Sequence, residues 1–216
     1  PVVITTIKPD PHQEEALDAL QKTTNIKHGK VIMYCGTGKT EVILWDIQKR
    51  NPQHTVLFFP NIELLDQTYK RMRKTLGKDF VNQYNAIFVC SDATVGKDDD
   101  VDRNYEYPFV VTTDSKEIKK FYKKNENKKT ITFVTLHSSH LVAKASKGLI
   151  KFNLGIFDEA HRTVGLNGSA FNYCLHDKNI KIQTRLFFTA TERFLKIEDG
   201  NTNETVSMDN EKLYGK

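Results

Sequence analysis

Cysteine is scarce in this sequence, with three residues in 216. Cys35, Cys90 and Cys174 are unpaired by spacing and sit in or beside apolar segments. Neither a disulfide framework nor a zinc site is therefore expected, and a reducing cell interior fits best. Long apolar runs are missing as well. None exceeds strand length, so no membrane span is expected, and the N-terminus lacks the basic-then-apolar order of a secretory signal. No internal repeat and no low-complexity linker interrupts the chain. It opens at Pro1 without an initiating Met and reads as a piece excised from a longer protein, so a leader could have been removed. The length suits one α/β domain with a large core and is too short for two of ordinary size. Lys and Arg number 32 against 27 Asp and Glu, a formal net charge of +5, which favours a polyanionic partner.

What is present is a rhythm of short apolar runs, at 31–35, 55–59, 86–90, 109–111, 131–134, 154–157 and 186–188. Helical patterns lie between several of them. Ala16, Leu17 and Leu20 share one face of a stretch at 11–22, and Leu65, Tyr69, Met72 and Leu76 recur at helical spacing. Strands alternating with helices predict right-handed crossovers and a mostly parallel sheet of about seven strands with helices on both faces. Ligands of such sheets collect at the carboxyl ends of the strands.

The first of these runs leads into the segment that organises the rest, MYCGTGKTEVILWDI at 33–47. Gly36 and Gly38 flank Thr37, and without Cβ atoms they let the backbone curl so that several N–H groups point at a polyphosphate. The following helix adds its positive N-terminal end. Lys39 supplies a mobile cation for the β- and γ-phosphates, and Thr40 a hydroxyl for Mg²⁺. The strict phosphate-loop pattern begins with Gly where Met33 stands, so the match is to the core GTGKT. A Gly-rich strand-to-helix turn with an incidental lysine is the plain alternative.

A second cluster follows the run at 154–157. Asp158, Glu159, Ala160 and His161 put two carboxylates and an imidazole where a buried strand ends. Asp158 can hold a Mg²⁺-bound water opposite Thr40, Glu159 can accept a proton from an attacking water, and His161 can sense the phosphate. Elsewhere, KDDDVDRNYE at 97–106 reads as a solvated loop. KEIKKFYKKNENKK at 116–129 reads as a surface helix with a basic outer face, either merely solvated or touching a nucleic-acid backbone. After Thr191 the chain turns polar and predicts a hinge or short terminal hairpin.

GTGKT at 36–40 with DEAH at 158–161 resembles the first RecA-like domain of superfamily-two helicases and translocases. Three more segments fit in order: PHQEEAL around Gln13, FFPNIELLDQ at 58–67 and FFTATE at 187–192. IFDEAHRT, TATE, FVTLHSS at 133–139 and VVTTD at 110–114 look more like DNA-acting translocases and restriction-enzyme motors than RNA-acting DEAD-box proteins. The Lys- and Asn-rich composition suggests an AT-rich genome, as in some viruses.

The resemblance implies a RecA-like domain at 1–191 and an extension at 192–216 toward a second RecA-like domain. It implies an ATPase working with Mg²⁺, in which Gly36, Thr37, Gly38, Lys39, Thr40 and His161 hold the nucleotide and Gln13 reads the adenine edge through its amide. Lys39, Asp158 and Glu159 would be catalytic, with Thr40 and Asp158 on the metal. Nucleic acid, DNA rather than RNA, would cross near Pro60, Asn61, Thr135, His137 and Ser138, held by its phosphates. Thr189 and Thr191 would couple the two sites. Ordinary turn and cap chemistry would also explain Pro60, Asn61 and Ser138. Two departures stand out: Tyr34 where relatives often have Ala, and Glu192 where many have Pro. The alternative function is a catalytically weak, nucleotide-regulated nucleic-acid-binding platform. A phosphate-loop kinase is disfavoured, because no lid with clustered arginines is visible.

Overall fold

Residues 8–23, 25–91, 109–166, 169–195 and 205–215 are described in the computed structural model. The acidic stretch 97–106 lies outside them, as do 196–204 of the polar tail. In chain order the elements are α1 (Pro11–Lys22), β1 (His28–Ile32), α2 (Lys39–Arg50), β2 (His54–Phe59), α3 (Ile62–Val81), β3 (Asn85–Val89) and β4 (Phe109–Val111). They continue with α4 (Ser115–Lys124), β5 (Thr130–Thr135), α5 (Ser139–Ser146), β6 (Phe152–Phe157), β7 (Gly165–Leu166), β8 (Ile182–Thr189), β9 (Thr205–Val206) and α6 (Glu211–Tyr214). Seven strands form one sheet in the order β1-β8-β6-β2-β5-β3-β4. Every pairing in it is parallel, so the fold is α/β with a wholly parallel sheet.

Parallel strands covered on both sides need apolar residues throughout, and β2 and β5 are buried at every position. Alternate residues feed two cores. Leu57 and Phe59 face the layer of α1, α2 and α3, while Val56 and Phe58 face α4, α5 and the terminal segment. Aromatic rings run across strands on each side. Phe58 stacks on Phe157 at 4.4 Å, Phe157 on Phe187 at 4.7 Å, and Phe187 meets Tyr214 at 4.8 Å. Each such ring, fully buried, contributes about 2–3 kcal/mol. Among the described residues no helix is long and apolar enough to cross a membrane.

Two expectations need correction. The first apolar run forms a strand at His28–Ile32 rather than at 31–35. Its neighbour β8 ends in register with Ile32 at Thr189, so the chain leaves the sheet there and Tyr34 is 80% exposed. The polar tail, in turn, is not a separate hairpin where it is described. β9 pairs antiparallel with β7, and Val206, Met208 and Tyr214 are buried in the main core. These three apolar residues fill the strip beside Phe187 that the other helices leave uncovered.

Candidate functional site

Strand order lines up the chemistry along one edge of the sheet. The parallel register puts the carboxyl ends of β1, β8, β6, β2 and β5 side by side, followed in turn by the glycine loop, Thr191, Asp158, Pro60 and Leu136. Residues from 36 to 191 in the sequence thus meet in one row.

The loop owes its shape to two glycines in the left-handed region, Gly36 at φ 80° and Gly38 at φ 79°. At Gly38 a Cβ atom would come within 2.2 Å of the Gln13 amide nitrogen, so a side chain there would displace that amide in addition to straining the backbone angle. Gln13 is buried, accepts a 2.8 Å hydrogen bond from the Asp10 N–H, and donates at 3.0 Å to the Thr37 carbonyl. The residue expected to read adenine therefore also ties α1 to the loop. Thr37 in turn donates its hydroxyl to the Tyr34 carbonyl at 2.7 Å.

A cavity of about 660 Å³ opens beside the loop, lined by Gly36, Gly38, Lys39 and Thr40 on one side and by Asp158 and Glu159 on another. Lys39 Nζ lies 3.1 Å from Glu159 Oε1, and the other Glu159 oxygen lies 3.3 Å from His161 Nδ1. Glu159 adopts φ 50°, ψ 48°, a left-handed backbone that a non-glycine residue holds at a cost of about 1–2 kcal/mol. Such strain gathers at functional sites.

Asp158 is buried, and its Oδ1 accepts from the Glu159 N–H at 3.0 Å. Burial foremost, then the neighbouring Glu159 charge, pushes its carboxyl up to about 6, with the Glu159 N–H and Lys39 pulling the other way. A buried acid with too little compensating charge, facing a hydroxyl across a cavity, is a donor set suited to Mg²⁺. Among the described residues no three His, Cys, Asp or Glu side chains gather into a cage. A cation here would take Asp158, Thr40 and phosphate oxygens as ligands.

His161 Nδ1 also lies 3.0 Å from Thr189 Oγ1, whose hydrogen goes to the Thr191 carbonyl at 2.8 Å. Both neighbours of Nδ1 can then only accept, which assigns the proton to Nδ1 and leaves Nε2 unprotonated in the neutral ring. Burial lowers the His161 pKa below its ordinary value; Glu159 opposes the change, while Arg162, Arg193 and Lys39 add to it. Thr189 is fully buried, and its carbonyl accepts from Met33 N at 3.0 Å. It thus touches the chain just before the glycine loop, the Asp158–His161 turn and the following turn at once. Glu192, the departure noted above, pairs with Lys30 on β1 at 2.6 Å.

The residues expected to meet nucleic acid sit one and two strands further along. Phe59 and Thr135 are register partners, so Pro60 and Asn61 neighbour His137 and Ser138. They do not line the cavity. Asn61 caps α3 by accepting from Leu64 N at 2.9 Å, and Thr135 donates to the Ser138 hydroxyl at 3.1 Å. His137 is exposed. Sequence reasoning missed Glu41, Gln67, Arg71 and Lys74 on the cavity wall. The available signal was the α3 spacing, which places 67, 71 and 74 on a different face from the buried Leu65, Tyr69 and Met72.

Solved structures share this fold. The Type ISP restriction-modification enzyme LlaGI, as a nuclease-deletion mutant in complex with a DNA substrate mimic, is similar with a TM-score of 0.76 and 26% identity. The match covers 97% of this chain and 19% of that one. The ATP-dependent Type ISP restriction-modification enzyme LlaBIII bound to DNA gives a TM-score of 0.71 and 25% identity, covering 98% and 15%. The chain therefore spans a fifth or less of the length of these two relatives. The Hef helicase domain of Pyrococcus furiosus, at 16% identity and a TM-score of 0.51 over 85% of this chain and 33% of that one, shows the fold alone. No curated protein sequence matches the chain. A family profile described as the res subunit of Type III restriction enzymes matches residues 6–194, nearly the whole sequence and every residue of the site, and the chain belongs to that family.

Proposed function

We propose that the chain is the first RecA-like, ATP-binding domain of a DNA-acting translocase or helicase, whose motor is completed by a second RecA-like domain. The observation that carries this reading is the shared cavity of Lys39, Thr40, Asp158 and Glu159. The DNA preference draws support from the two DNA-bound restriction enzymes it resembles.

In this reading the glycine loop and the start of α2 receive the triphosphate through backbone N–H groups, and Lys39 exchanges Glu159 for the β- and γ-phosphates. That exchange frees Glu159, already angled into the cavity by its left-handed backbone, to take the proton of the attacking water. Bound Mg²⁺, on Asp158 and Thr40, would neutralise charge developing on the phosphates. Gln13 reports on the loop through Thr37. His161, neutral and oriented by Thr189, passes the state of Glu159 to the 189–192 turn. Pro60, Asn61, Thr135, His137 and Ser138 would meet DNA phosphates at the adjacent strand ends, giving sequence-tolerant, salt-sensitive binding.

The domain alone lacks a partner's arginine finger, which in such motors adds about 10³–10⁵ in rate. Residues 1–216 should bind Mg-ATP weakly and turn it over far below about 1 s⁻¹. Titrating the chain with Mg-ATP by calorimetry, beside Lys39→Ala, tests the site. Absence of binding, or equal binding by the variant, removes this reading. In the full-length protein, single-turnover hydrolysis with and without DNA separates a motor from a nucleotide-regulated platform. Replacing Thr189 and Thr191 with Val there should leave nucleotide affinity largely intact and abolish DNA stimulation; a collapse of affinity would count against the coupling role.

A further inference from the structure

The cavity does not end at the phosphate loop. Its far wall is one face of α3, formed by Leu64, Gln67, Thr68, Lys70, Arg71 and Lys74. Three cations on this wall face a cradle that holds a fourth, Lys39, together with the acids Glu41, Asp158 and Glu159. The pairing among them is unequal. Lys39 meets Glu159, and Lys70 meets Asp66 at 3.0 Å within its own helix. Arg71 Nε donates to Glu41, a buried carboxylate in the first turn of α2 that lies 3.2 Å from where a Gly38 Cβ would be. Arg71 therefore cancels a negative charge placed beside the phosphate loop while staying 45% exposed. Lys74 has no hydrogen-bond or ion-pair partner among the described residues, and it stands one turn beyond Arg71 on the same face.

We propose that this face of α3 is a second oxyanion site, which takes up inorganic phosphate once it is split from the nucleotide and leads it out of the cavity. The proposal rests on the ATPase reading above. A phosphate dianion released beside Glu159 and a retained nucleoside diphosphate is repelled by both, while Lys39 and the Mg²⁺ that Asp158 and Thr40 would hold are already engaged by the diphosphate. The cations left in the cavity are those of α3, so the field inside it slopes from Glu159 and the diphosphate toward Arg71 and Lys74. Arg71 presents a fork suited to a tetrahedral oxyanion, and Lys74 a mobile point charge at the outer end. Gln67, a turn before Arg71, adds an amide donor. The row is distinct from the expected DNA contacts, which lie beyond the cavity at the ends of β2 and β5.

The test is equilibrium dialysis of residues 1–216 against radiolabelled inorganic phosphate, with and without saturating Mg-ADP. Phosphate should bind alongside Mg-ADP, and Lys74→Glu and Arg71→Gln/Lys74→Gln should weaken it at least tenfold while Mg-ADP still saturates the loop. Lys116→Gln/Lys119→Gln on α4 serves as the control for non-specific attraction and should change phosphate affinity less than twofold. Phosphate that binds only in competition with Mg-ADP, or that weakens equally in the α4 control, overturns the proposal. Failure of Mg-ADP to bind at all would instead strike the parent reading. In that case the nucleotide-free arm still decides the α3 site: phosphate binding lost in Lys74→Glu sustains it, and binding equal to that of the unsubstituted chain removes it.

Discussion

Asp177 and Asp158 stand at opposite ends of neighbouring strands, and their surroundings treat a carboxylate in opposite ways. Asp177 precedes β8. It meets Lys27 at 2.7 Å and Arg185 at 2.6 Å, and the fully buried Arg185 also donates to the carbonyls of Ile180 and Ile182. Burial alone would raise the Asp177 carboxyl, but the hydrogen bonds and charges of Lys27 and Arg185 prevail and hold it down at about 2. Asp158, at the carboxyl end of β6, has one N–H and a distant lysine, and is pushed up to about 6. One end of the sheet settles its charges within the protein. The other leaves them unsettled, and groups perturbed in this way gather at functional sites.

Several substitutions can break or sharpen this contrast. The largest effect belongs to Glu159→Gln in the full-length protein: turnover should fall by about 10²–10⁴ if Glu159 takes the water's proton, read by steady-state phosphate production. A fall below tenfold would assign the proton elsewhere. Next, Asp177→Asn should destabilise the chain by about 2 kcal/mol, less than a fully buried pair because Asp177 is partly exposed, measured by urea unfolding at pH 7. A carboxylate with a depressed folded pKa stabilises above its unfolded value and loses that contribution as pH falls toward its folded one. Asp177→Asn should therefore flatten the stability profile between about pH 4 and pH 2. The same chemical change at Asp158 should act with opposite sign. Asp158→Asn removes a buried, poorly compensated charge and should raise the stability of the nucleotide-free chain by about 1–2 kcal/mol, while abolishing Mg²⁺-dependent nucleotide binding. Equal signs at 158 and 177 would erase the comparison. Smallest is Tyr214→Phe. It removes the hydroxyl contact to Thr163 at 2.7 Å in the turn after His161, and should cost about 1 kcal/mol.

Much of the architecture was legible because it rests on local rules. Apolar runs marked the seven strands of the main sheet, and the shared face of Ala16, Leu17 and Leu20 marked α1. The glycine loop and the 158–161 cluster stood out by spacing and residue type, and the parallel sheet brings both to one cavity. What escaped depended on tertiary neighbours. The first strand was misplaced because its end is set by Thr189, some 150 residues away in sequence. Tyr214 was hidden in a polar tail, since nothing local announces that Phe187 lacks a cover. Arg71 and Lys74 lie off the apolar face of α3, and only the position of α3 against α2 turns that side toward the glycine loop. Asn61 was read two ways, as a nucleic-acid contact implied by the resemblance and as an ordinary cap, and its side chain does cap α3 while the contact stands as a proposal.

Glu159 carries one more implication. Its backbone occupies a region that glycine or asparagine enters with less penalty, so the chain keeps a carboxylate there against its own conformational preference. Anyone selecting variants of this domain for heat resistance should find Glu159→Gly among the gains, and, on the function proposed above, should find the full-length protein that carries it without ATP turnover.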